Sequence, residues 1–156
     1  MSANNAPRIA VVGSLNMDLV LQVQHAPGPG ETVLADALHL VPGGKGGNQA
    51  VACARQGAQV ALFGRVGDDG YGHTLRAGLD ADGIDHSGVQ TDTDTTTGVA
   101  AITVEATGQN RIVVVPGANG RFVLDAAALG AALQGAGGLV LQFETPLPQV
   151  LAAAEM

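Results

Sequence analysis

Pro42-Gly43-Gly44-Lys45-Gly46-Gly47-Asn48-Gln49-Ala50 joins an apolar, strand-like run at residues 33–41 to an apolar, helix-like run at 50–55. Glycine lets a backbone take positive φ and come close to a ligand. A glycine loop that opens a helix also leaves N–H groups free for oxygen-rich ligands. A plain strand-to-helix turn seldom carries four glycines together with an amide and an ammonium, so the loop reads as a binding element. It matches neither common nucleotide motif. A P-loop needs Ser or Thr after Gly-Lys, and Gly46 follows Lys45. A dinucleotide fingerprint starting at Gly44 would need a third glycine where Gln49 stands. The first strand runs instead into Gly13-Ser14-Leu15-Asn16-Met17-Asp18, which is also no match.

Outward from the loop, residues 8–15, 59–64 and 138–143 are short apolar runs typical of strands buried on both faces. Helices are expected at 48–56, with Gly57 just past the end, at 71–81, stopping near Gly83, and at 125–133, with Asp125 at its start. Thr145-Pro146 reads as the N-cap and first residue of a further helix. Strands alternating with helices imply a parallel sheet with right-handed crossovers. Looser strands at 18–23 and 33–41 flank Pro27-Gly28-Pro29-Gly30, and 98–105 and 111–115 flank Ala106-Thr107-Gly108-Gln109-Asn110. These four are expected to form a separate small sheet.

The 156 residues suffice for one domain with a real core, and 46% hydrophobic against 13% charged residues marks a globular chain. Twenty-three glycines suit an α/β fold with tight βα turns. A net charge of −7 argues against nucleic acid or an anionic membrane as partner. The one cysteine, Cys53, lies on the helix after the loop and reads as a small core residue. Residues 1–7 show no secretion signal and no apolar run reaches a membrane span, so the cytoplasm is expected.

Asn16 and Asp18 follow the carboxyl end of the first strand, the end that faces the ligand crevice in open α/β sheets. A carboxylate and an amide two residues apart suit polyol recognition, because one accepts from hydroxyls while the other donates and accepts. A local Asx turn is the alternative. Glu144 ends the third buried strand, where vicinal hydroxyls would relieve its desolvation, with a solvated loop acid as the alternative. Asp68-Asp69 has the look of a metal pair, but with Gly70 it fits a turn into a helix better. His25, His39, His73 and His86 show no ligand spacing.

Gly43, Gly44, Gly46, Asn48, Ala50, Gly57 and Gly67 fall at the places of the first signature of the ribokinase-like (PfkB-type) sugar kinases. Gly13-Ser14-Leu15-Asn16-Met17-Asp18, Pro29-Gly30-Glu31-Thr32, Gly67-Asp68-Asp69, Gly117-Ala118-Asn119 and Gln142-Phe143-Glu144-Thr145-Pro146 resemble the same family in the same order, nearly throughout from Arg8 onward. Asn16-x-Asp18 and the Gly-Gly-Lys-Gly-x-Asn-Gln-Ala run resemble its ribose-specific branch more than its adenosine or fructose branches. Gly47 stands where alanine is usual.

The resemblance implies a doubly wound, mostly parallel sheet flanked by helices, with a β lid made of strands within about 18–41 and 98–115 that covers the sugar. It implies ATP-dependent phosphorylation of D-ribose at its 5-hydroxyl, with Mg²⁺ and a monovalent cation such as K⁺, and a homodimer formed lid to lid. Asn16 and Asp18 would bind ribose hydroxyls. Gly44, Lys45, Gly46, Gly47 and Asn48 would wrap the sugar, although Lys45 could instead be a solvated charge and Asn48 a helix cap. The family's later Asn-x-x-Glu motif, its Gly-Ala-Gly-Asp loop with the catalytic aspartate and its adenine pocket have no counterpart here. A three-stranded sheet would also leave an open edge. Residues 1–156 are therefore expected to be the N-terminal, sugar-binding part of one ribokinase-like domain, inactive alone. The alternatives are a non-catalytic sugar-binding or interaction fragment, or a kinase of the same family acting on another sugar or nucleoside.

Overall fold

The computed structural model describes residues 6–156. Most of the stretch read for a secretion signal lies outside the described residues. The core is a four-stranded parallel sheet of order β5-β4-β1-β8, formed by β1 (Arg8–Val12), β4 (Gln59–Gly67), β5 (Asp85–Asp92) and β8 (Gly138–Leu141). Period-2 alternation in β1 sends its side chains to two cores. Val11 packs with Ala50 of α1 (Lys45–Arg55) and with Leu75 and Leu79 of α2 (Gly70–Ala81). Ala10 and Val12 pack with Leu129 of α3 (Ala126–Leu133) and Ala153 of α4 (Leu147–Ala154). The result is a helix–sheet–helix sandwich in which Cys53 packs beside the first core as a small hydrophobe.

The second sheet has order β3-β2-β6-β7, from β2 (Asn16–Val23), β3 (Ala37–Gly43), β6 (Gly98–Glu105) and β7 (Asn110–Val115). The two antiparallel ribbons expected from the turn signals are both present. They are fused by a parallel β2–β6 ladder running from Asn16↔Gly98 to Val23↔Glu105. A 3-10 turn at Gly117–Arg121 brings the chain back from β7 to the core.

Three local expectations are corrected. The core sheet has four strands, not three, because the polar segment Asp85–Asp92 pairs with β4 as an edge strand; only Val89 and Asp92 are buried in it. β3 begins at Ala37 and not near residue 33. The last helix begins at Leu147 because Pro146 sits at ψ 124, outside the helical region; Thr145 is buried and caps nothing.

Asp69 bears out the turn reading. It caps α2 by accepting from the Gly72 N–H at 2.8 Å, and also takes the Thr97 N–H at 2.8 Å and the Thr97 hydroxyl at 2.7 Å. It thereby ties α2 to the entry of β6. Burial alone would raise its carboxyl, but these hydrogen bonds outweigh that and hold it below its ordinary value. Its folded-state pKa is depressed, so the stability it contributes is present above the ordinary aspartate pKa and is lost as pH falls through the folded value. Asp69→Ala should cost about 1–2 kcal/mol, the worth of a good N-cap, with a smaller loss of stability on acidification. Urea unfolding at neutral and acid pH reads both.

Candidate functional site

The Gly44 loop seats itself on the turn between β1 and β2. Gly44 has φ 85 and occupies the N-cap position of α1, which starts at Lys45 and not at Asn48. The Gly47 N–H donates to the Ser14 carbonyl at 2.9 Å, the Gly46 N–H to the Ser14 hydroxyl at 3.4 Å, and the Lys45 N–H to Glu144 Oε2 at 3.1 Å. The Asn48 N–H donates to the Gly44 carbonyl at 2.9 Å, so Asn48 lies inside the first turn and is not its cap. The N–H groups expected to be free for a ligand are therefore used inside the protein from Lys45 to Asn48. Two glycines are explained by backbone meeting backbone. A Cβ on Gly46 would stand 2.5 Å from the Gly13 carbonyl carbon, and one on Gly44 would stand 2.7 Å from the Ser14 oxygen.

Glu144, in the turn after β8, locks this arrangement. Its Oε2 also accepts from the Ser14 hydroxyl at 2.7 Å, and its Oε1 contacts the Lys45 ammonium. Burial pushes this carboxyl up, but hydrogen bonds from Lys45 and Ser14 outweigh it and hold the group below its usual range. Gln142 completes the turn by donating to the Val12 carbonyl at 2.9 Å and accepting from the Glu144 N–H at 3.0 Å. Lys45 is thus an ion-pair partner of Glu144, with 63% of its side chain exposed.

Asn16 and Asp18 project from one face of β2, as residues two apart must. Asn16 is only 5% exposed, and its Oδ1 accepts from Asn119 Nδ2 at 2.8 Å. Asp18 is half-buried over Gly43, where any Cβ would overlap its carboxylate. It has no hydrogen-bond or ion-pair partner among the described residues. Burial, and then the negative charge of Glu144, raise its pKa. A hollow of about 230 Å³ is lined by Ser14, Asn16, Val114, Pro116, Asn119, Phe143 and Glu144, beneath the β7 side of the second sheet. Gly47 and Asn48 border a different cleft of about 460 Å³ between β3, α1 and α2, with Leu15, Pro42, Val51 and Leu79. The structure thus gathers Asn16, Asp18, Gly44, Lys45, Gly46 and Glu144 at one edge of the core sheet and sets Gly47 and Asn48 against the cleft on the far flank of the loop. Ser14, Asn119 and Gln142 were given no role from the sequence, although each falls in a stretch that carries the family resemblance.

Chemically, the edge offers a carboxylate in want of a donor, an amide and an ammonium, a set suited to a polyhydroxyl ligand. Among the described residues no group of three His, Cys, Asp or Glu could hold a metal ion.

The chain is similar to known proteins over most of its length. The chain is 51% identical over 111 residues to ribokinase of Bacillus subtilis, covering 71% of this chain and 38% of the relative. It is 40% identical over 157 residues to ribokinase of Schizosaccharomyces pombe, covering 95% and 49%. The structure of Arabidopsis thaliana ribokinase complexed with ribose and ATP superposes with a TM-score of 0.80 at 33% identity, over 95% of this chain and 50% of that one. The chain spans half or less of the length of these relatives. The model of the pfkB family of carbohydrate kinases matches residues 6–154, and this chain belongs to that family.

Proposed function

We propose that this chain carries the sugar-binding half of an ATP-dependent kinase that phosphorylates D-ribose at its 5-hydroxyl. The observation that carries the reading is Asp18, a half-buried carboxylate without a partner, on the same sheet face as Asn16 and beside the glycine loop. A sugar hydroxyl is the donor it lacks. Asn16, Asp18, Gly44, Lys45, Gly46, Gly47, Asn48 and Glu144 are assigned to holding the sugar, with Gly47 and Asn48 reaching it from the loop's other flank. The residue that takes the proton from the 5-hydroxyl and the groups that hold ATP are assigned to the stretch of the relatives that this chain does not span. Mg²⁺ and a monovalent cation such as K⁺ are assigned mainly to that same stretch.

The second sheet acts as the lid over the sugar, its strands lying within residues 16–43 and 98–115. Val114 and Ile112 share the face of Asn16 and Asp18, by the pairing of β2 with β6 and of β6 with β7. On the opposite face Leu38, Leu40 and Val113 are exposed, Val113 to 69%. Large exposed apolar patches mark interfaces, and we assign this face to a second copy of the protein. Sedimentation should show a dimer at micromolar concentration, and a monomer would contradict the assignment. No helix among the described residues is long and apolar enough to cross a membrane, and the cytoplasm is the proposed location.

A coupled ADP-release assay on the full-length protein with D-ribose and a panel of hexoses tests the substrate. Turnover confined to ribose supports the reading; sugar binding without turnover would favour a binding protein. Ionised Asp18 accepts from hydroxyls more strongly than the protonated acid does, and its pKa is raised. Ribose affinity should therefore fall as pH is lowered through a value above that of an ordinary aspartate, and Asp18→Asn should remove that acid limb. Calorimetry across pH reads it.

A further inference from the structure

We propose that Asn119 is a positioning residue that fixes the side-chain amide of Asn16 as a hydrogen-bond donor toward the sugar. The proposal rests on the sugar-site reading above but makes a claim that can be tested without sugar. Asn119 is 2% exposed, in the 3-10 turn that follows the lid strand β7. Its Oδ1 accepts from the Leu15 N–H at 2.9 Å, and its Nδ2 donates to the Leu15 carbonyl at 2.9 Å and to Asn16 Oδ1 at 2.8 Å.

This chain of bonds has a polarity that the backbone sets. A peptide N–H can only donate, so the Asn119 atom facing the Leu15 N–H must be oxygen. The other end of that amide is then nitrogen, which is what the Leu15 carbonyl requires. Nitrogen in turn can only donate to Asn16, so the near atom of Asn16 must be its oxygen. The Nδ2 of Asn16 is left without a protein partner among the described residues, on a side chain that lines the 230 Å³ hollow with Ser14 and Glu144. Gly98, the β6 partner of Asn16, leaves the space for both amides; a Cβ there would overlap Asn119 Nδ2 and Asn16 Oδ1.

The consequence is a division of labour between neighbours. Asp18 accepts from the ligand and Asn16 donates to it. The group that meets Asn16 must be an oxygen with a free lone pair, such as a hydroxyl or a ring ether. A protonated amine placed there would face two N–H donors and be rejected.

Two measurements on the full-length protein decide this. Hydrogen exchange by NMR should find the Asn119 side-chain amide protons protected and those of Asn16 fast in the sugar-free protein. In Asn119→Asp the carboxylate keeps the bond from the Leu15 N–H but can donate neither to the Leu15 carbonyl nor to Asn16, so Asn16 should turn and its amide protons become protected. Protected Asn16 amide protons in the unaltered protein would overturn the proposal, whether or not ribose binds and whether or not the variant folds. The second measurement is D-ribose calorimetry. Asn119→Asp should weaken binding about tenfold or more by removing the bond that orients Asn16, yet change it less than about twofold in an Asn16→Ala background. Equal losses in both backgrounds would mean that Asn119 merely supports the fold. Failure of the unaltered protein to bind ribose would count against the sugar reading and leave the exchange result standing.

Discussion

Gly44→Val is expected to abolish ribose binding, with an affinity loss of two powers of ten or more, whereas Lys45→Ala should cost less than tenfold. Gly44 sits at φ 85, a conformation that a β-branched residue adopts only under strain of roughly 1–3 kcal/mol. Its Cβ would also stand 2.7 Å from the Ser14 oxygen, 2.8 Å from the Asn16 nitrogen and 2.9 Å from Leu15 Cα. Those atoms are backbone and cannot step aside. The loop must lift, and with it go the bonds from Lys45 and Gly46 to Glu144 and Ser14 that define the edge. Lys45→Ala removes only an exposed ion pair, worth about 0.2–1 kcal/mol, and keeps the Lys45 backbone bond to Glu144. Calorimetry with D-ribose, with circular dichroism to confirm folding, compares the two. Comparable affinities for Gly44→Val and the unaltered protein would show that loop geometry does not shape the site.

Asp18→Ala should weaken ribose binding by about 1.5–3 kcal/mol, roughly ten- to hundredfold, and leave the fold intact. Asp18 makes no hydrogen bond or ion pair within the described residues, so no protein group is stranded by its loss. Its raised pKa shows a carboxylate that the folded chain burdens and does not satisfy. Relief of that burden should make Asp18→Ala as stable as the unaltered protein at neutral pH, or slightly more so. A destabilised variant that binds ribose normally would make Asp18 a structural residue.

The elements with a strong period or a strong stop signal were legible in the sequence. Residues 71–81 read as a helix, stopped near Gly83 and entered by the Asp68-Asp69-Gly70 turn, and α2 spans Gly70–Ala81; β1 and β4 read as buried strands from their apolar runs. The candidate edge was legible because Asn16, Asp18, the glycines and Glu144 each follow a strand at its carboxyl end. β5 was not, because Asp-His-Ser-Gly-Val-Gln-Thr-Asp lacks alternation and is held as a strand by its pairing with β4. The parallel β2–β6 ladder was hidden because its paired residues, from Asn16 and Gly98 to Val23 and Glu105, lie far apart in the chain, with β3, α1, β4, α2 and β5 between them. The internal use of the loop N–H groups was equally hidden. Their acceptors are Ser14 and Glu144, 32 and 99 residues away from the loop residues they meet, and only the fold brings them there. Asn119 escaped for the same reason: its three bonds depend on the 3-10 turn laying it against Leu15.

The central claim is that this edge is where ribose sits. A crystal structure of the full-length protein soaked with D-ribose tests it most directly. Sugar hydroxyls within about 3.2 Å of the Asp18 carboxylate and of Asn16 Nδ2, beneath the second sheet and against Gly44, are the predicted result. Ribose bound elsewhere, with Asp18 still unpartnered, would contradict it.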